Sequence, residues 1–68
     1  MKSKKLTTGT RVEFDFGFSK GVTGTVLASF RHGSHGLSYD IRLDKAIMVF
    51  GKMSYTINLY RHEIKKVA

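Results

Sequence analysis

Residues 9–30 read G-T-R-V-E-F-D-F-G-F-S-K-G-V-T-G-T-V-L-A-S-F. Val12, Phe14 and Phe16 alternate with Arg11, Glu13 and Asp15. That period of two is the mark of a β-strand with one buried face. Val26, Ala28 and Phe30 repeat the alternation further on, and Gly17, Lys20, Gly21 and Gly24 lie between the two sets. The pattern predicts two strands, over residues 9–16 and 24–31, around a glycine-rich loop over residues 17–23. Glycine takes positive φ without steric cost, so backbone geometry alone gives Gly17, Gly21 and Gly24 a reason to be where they are.

Working outward, His32-Gly33-Ser34-His35-Gly36 sets two glycines among small polar residues and reads as a tight hairpin turn. Residues 37–44 have the cleanest alternation in the chain. Leu37, Tyr39, Ile41 and Leu43 face one way, and Ser38, Asp40, Arg42 and Asp44 the other. A slip of one residue would bury two aspartates and an arginine, so the register is strongly specified. Residues 45–54 contain the continuous apolar run Ile47-Met48-Val49-Phe50, which fits a short strand buried on both faces or an apolar loop. Tyr55, Ile57 and Leu59 alternate with Thr56 and Asn58 in a fourth strand, and residues 64–67 suit a short closing strand. Five short strands, glycine turns and no amphipathic helix predict an all-β fold in which a strongly bent sheet closes on itself. An OB-fold would need a longer chain and a helix between the third and fourth strands. The expected inward set is Val12, Phe14, Val26, Ala28, Tyr39, Ile41, Leu43, Ile57 and Leu59.

The chain has 68 residues, enough for one domain, placed over residues 9–68. Residues 1–8 form a flexible basic arm carrying Lys2, Lys4 and Lys5, with Leu6 placed to tuck under the sheet. There is no cysteine, hence neither a disulfide framework nor a thiolate metal site. No apolar run approaches the ~18 residues of a membrane span, and the basic start has no apolar stretch behind it, so the cytoplasm is the expected compartment. Twelve Lys and Arg against five Asp and Glu give a formal charge of +7. Such an excess favours polyanions, either nucleic acid or an acidic protein partner.

The spacing Gly17-x-x-Lys20-Gly21-x-x-Gly24-x-Val26 resembles the KOW motif, carried by small SH3-like barrels of ribosomal proteins and transcription elongation factors. The resemblance covers about a third of the chain. It implies a five-stranded SH3-like barrel, with a single 3₁₀ turn over residues 60–63 before the last strand. It also implies a module that binds RNA, DNA or protein within transcription or translation complexes. The expected function is therefore a small nucleic-acid-associated accessory factor or regulator that works by binding, not catalysis. Its size suggests a phage or another mobile element as its source.

Lys20 holds the basic position of the motif. Arg31, His32 and His35 sit at the next hairpin, Arg42 points off the polar face of the third strand, and Lys45 and Lys52 bracket the apolar run. Lys and Arg contacts to phosphate give sequence-independent binding. Phe18, beside Lys20, is a candidate for stacking on a base, as are Tyr39, Phe50 and Tyr60, although the alternation assigns Tyr39 to the core. His32-x-x-His35 has too little rigidity around it to predict a metal site, and no cofactor is expected. A competing reading is a protein-interaction module. In it Ile47, Met48, Val49 and Phe50 form a homodimer interface or dock on another protein, because neighbours in a strand cannot all face inward. A remote third reading comes from Ile57-Asn58-Leu59-Tyr60, which looks like the pore-lining segment of the tetrameric type II dihydrofolate reductases. Gly9-Thr10-Arg11-Val12 is similar to the opening of their first strand. Asn58 is shorter than that family's glutamine, and residues 45–54 do not match it.

Overall fold

The computed structural model describes residues 5–67, with the backbone alone at His35. It is all-β, as expected. The elements are β1 (Arg11–Phe16), β2 (Ser19–Arg31), a 3₁₀ turn (Gly33–His35), β3 (Leu37–Val49), β4 (Lys52–Tyr60), a second 3₁₀ turn (Arg61–Glu63) and β5 (Lys66–Val67). All five strands join one antiparallel sheet in the order β4-β3-β2-β1-β5. The sheet bends round Val12, Phe14, Val26, Tyr39, Ile41, Leu43, Ile57 and Leu59, eight of the nine residues expected inward. The turn expected before the last strand is present.

The expected closure is not. Among the described residues no ladder joins β4 to β5, so the barrel stays open along that seam. The physical reason is the second 3₁₀ turn, which separates the two strands and delivers a β5 only two residues long to the edge of β1.

The loop expected over residues 17–23 is also absent. β1 and β2 meet in a two-residue turn, Gly17-Phe18, with Phe16 opposite Ser19. Gly17 has φ +58 at the first central position, as a type II′ hairpin requires. The ladder then shifts between Phe14 and Phe16, so that Lys20 and Gly21 together oppose Asp15. Gly21 takes φ +61 in this bulge, and its N–H donates to Asp15 Oδ1 at 2.8 Å. Beyond the bulge, burial alternates through Val22, Gly24 and Val26, so the strand begins well before residue 24. Each of the three motif glycines thus has its own geometric reason: a turn, a bulge and, at Gly24, a close approach to β3.

Two further irregularities move residues off their expected faces. Val26 pairs with Ile41 but Ala28 pairs with Asp40, leaving Leu27 as an extra residue. The alternation changes phase there, which leaves Ala28 half-buried and Phe30 exposed. In the β3–β4 ladder Arg42 opposes Thr56 and Ile47 opposes Ser54, so residues 43–46 face Tyr55 alone. This long bulge carries Tyr55 out to solvent, whereas Ile47 and Val49 turn toward the core. The stretch over residues 45–54 is therefore a hairpin, closed by Phe50-Gly51 with φ of 48 and 83, the pair of positive values that a type I′ turn needs. Ser38 is wholly buried despite its place on the polar face; its Oγ lies 2.6 Å from His32 Nε2. Val22 and Ile64 complete the core, and Leu6 packs against it with its N–H on the Tyr39 hydroxyl at 3.1 Å. Of the arm expected over residues 1–8, Lys2 and Lys4 lie outside the described residues.

Candidate functional site

The bulge at Gly21 and the long bulge over residues 43–46 lie on neighbouring strands, and together they shape a groove of about 560 Å³. Lys20 and Lys45 both line it, with Ser19, Thr23 and Asp44. Two cations twenty-five positions apart in sequence therefore meet at one concave surface.

Among the described residues that line the groove Asp44 is the one acid, and it is already engaged. Both terminal nitrogens of Arg11 donate to its carboxylate, one to Oδ1 at 2.8 Å. The Thr23 hydroxyl donates to Oδ2 at 2.6 Å. Arg11 also donates to Thr25 Oγ1 at 2.8 Å, so one network ties β1, β2 and β3 together across the outer face. The hydrogen bonds from Arg11 and Thr23 hold the Asp44 carboxyl well below the usual carboxylate range. By linkage this contribution to stability is complete above the ordinary aspartate range near pH ~4 and is lost as the pH falls toward the depressed folded value. Asp15 is held low as well, first by the Gly21 N–H and then by nearby lysines, including Lys65 at 3.8 Å.

The other expected residues fall elsewhere. Arg42 is exposed at mid-β3, flanked in register by Thr25 and Thr56. Arg31 and His32 stand at the far end of β2 from Lys20. The side chain of His35 lies outside the described residues. Lys52 opens β4 beside the Phe50-Gly51 turn. Phe18 is fully exposed at the β1–β2 turn, and Phe50, 95% exposed at the other tip, makes an edge contact with Phe16 at 6.3 Å between ring centroids. Tyr39 is buried and takes no part in a surface.

The apolar run divides as strand geometry demands. Ile47 and Val49 face the core, while Met48 pairs with Met53 on the outer face of the hairpin and both are exposed. Within the segment compared with the reductases, Asn58 donates to Asp40 Oδ1 at 2.8 Å, and Tyr60 packs between two histidines. The Arg11–Asp44 pair was illegible in sequence, because its members are thirty-three residues apart and only their outward phase could be read. His62 carries no signal in the sequence, yet its ring lies against that of Tyr60.

Among the described residues no group of three or more His, Cys, Asp or Glu sits together in a way that could hold a metal ion, and no helix is long and apolar enough to cross a membrane. The chain matches no protein-family model, no curated protein and no solved structure.

Proposed function

We propose that this chain is a small nucleic-acid-binding module, an accessory factor in transcription or translation that grips the phosphate backbone. The observation that carries this reading is the groove in which Lys20 and Lys45 converge while its one carboxylate is occupied by Arg11. That pairing leaves Lys45 to act on an external anion, together with Lys20, whose neighbouring acid Asp15 is itself engaged by the Gly21 N–H and Lys65. Arg31, Arg42 and Lys52 add exposed cations along the same sheet. Electrophoretic shifts with single-stranded DNA, duplex DNA and RNA at a series of salt concentrations test it. Affinity should fall linearly in a log–log salt plot with a slope of roughly −3 to −5, the value for four to six phosphate contacts. Lys20→Glu combined with Lys45→Glu should remove most of the binding and flatten the slope by about 2. Failure to bind any polynucleotide at low salt would overturn the reading.

A second reading, a protein-interaction module, draws on the outer face of the β3–β4 hairpin. Met48, Met53 and Tyr55 are exposed there, with Phe50 at the tip. An apolar group of this kind commonly marks a contact with another chain. Sedimentation of the wild type and of a Met48→Asp, Phe50→Asp variant separates the readings. A wild type that self-associates or captures a protein partner, and a folded variant that does neither, would favour this second class. A monomeric wild type, with a variant unchanged in every binding assay, removes it.

A further inference from the structure

At the end of β2 away from the lysine groove, three rings from two distant parts of the sequence are assembled. The His32 ring meets the Tyr60 ring edge-on at 5.6 Å between centroids, and the Tyr60 and His62 rings lie parallel within 9° at 5.8 Å. The sheet builds this arrangement. Phe30, Ser38 and Tyr60 are side by side on β2, β3 and β4. His32 is fixed by its hydrogen bond to the buried Ser38, and the Tyr60 N–H donates to Glu63 Oε1 at 2.8 Å, which anchors the start of the second 3₁₀ turn. His62 projects from that turn and is exposed. Arg31 and Arg61 adjoin the rings in sequence, and Phe30 is exposed in the next strand position.

We propose that His62, Tyr60 and His32, with Arg31 and Arg61, form a base-stacking site for single-stranded nucleic acid. The assignment rests on the nucleic-acid reading above and adds which strand form is bound and where. A flat exposed ring backed by a second parallel ring offers a base a π-face, and every base can use one, so such a site is tolerant of sequence. In a duplex the bases are already stacked and paired, and a ring on the protein surface reaches them only at the ends. Arg31, exposed at the end of β2, supplies charge for the flanking phosphates and a planar surface of its own; Arg61, whose guanidinium donates to the Ile64 carbonyl at 3.3 Å, adds charge.

The test is fluorescence anisotropy of the full chain with labelled oligothymidylate, oligouridylate and a duplex of equal length, all at one low salt concentration. The single strands should bind more tightly than the duplex. His62→Ala should weaken single-strand binding by about tenfold and leave duplex binding and the salt slope unchanged. His62→Phe, with the same charge as the alanine variant and a ring in place, should restore the affinity. Circular dichroism melts confirm that both variants fold. Equal loss on single strand and duplex, no loss with His62→Ala, or no recovery with His62→Phe would overturn the stacking site while leaving the lysine groove standing. Absence of binding to every polynucleotide would overturn both.

Discussion

Ile41→Ala is expected to leave much of the protein unfolded at 25 °C. Ile41 is completely buried in the middle of β3, opposite Val26 on one side and Ile57 on the other. Shortening it removes apolar contact with both neighbouring strands and opens a cavity that the sheet, pinned by its ladders, can only partly fill. Such truncations cost about 2–5 kcal/mol. A domain this small rarely holds more than ~3–5 kcal/mol in reserve from its core. The loss is therefore comparable to the whole stability. Urea titration followed by far-UV circular dichroism reads it directly, and a variant with a wild-type midpoint would refute both the core position of Ile41 and the fold built around it.

Gly24→Ala should be as damaging for the opposite reason, too much volume instead of too little. A Cβ on Gly24 would stand 2.5 Å from the carbonyl oxygen of Arg42 and 2.6 Å from Cγ2 of Ile41. The first of these is backbone, held in place by the pairings of Gly24 with Leu43 and Thr25 with Arg42. It cannot swing aside as the end of a long side chain would. Relief requires β2 and β3 to part at this point. Overpacking in a core costs about 1–3 kcal/mol, and more where backbone must move. Thermal melts should show a steep fall in midpoint for alanine and no cooperative transition for valine. A Gly24→Ala protein that melts like the wild type would show that β3 does not lie against this glycine.

The two sites differ in how plainly the sequence announces them. Ile41 sits in an alternation that survives intact through Leu43, so its burial could be read from period alone. Gly24 is one residue in a pattern where every glycine has a reason, and only the distance to Arg42 separates a close approach from a turn. Alternation also failed wherever the ladder slipped. One extra residue at Leu27 put Ala28 and Phe30 out of phase, and four residues opposite Tyr55 hid the second long hairpin behind what reads as a featureless apolar run. These bulges are tertiary facts, set by how two strands accommodate each other, and a one-dimensional period cannot contain them. The candidate sites follow the same division. Lys20, Lys45, His32 and Tyr60 could each be singled out as a cation or a ring. That Lys20 meets Lys45, and that Tyr60 meets His62, depends on the bulges and the second 3₁₀ turn.

The short β5 has a consequence for how the molecule opens. It is held by two residue pairs, Val12 with Val67 and Glu13 with Lys66, and by the Lys65 N–H on the Glu13 carbonyl at 2.8 Å. Among the described residues of this end, Ile64, just before it, is the one anchored in the core. The free energy of local opening is not uniform across a sheet, and it is lowest where few contacts must break together. Here that place is the seam between β1 and β5, while the long β2–β3 and β3–β4 ladders open only with the whole domain. When β5 lifts, Val12 and Glu13 lose their partners, and the six-residue edge of β1 replaces the short one that β5 shows, an unpaired row of N–H and C=O groups opposite the free edge of β4.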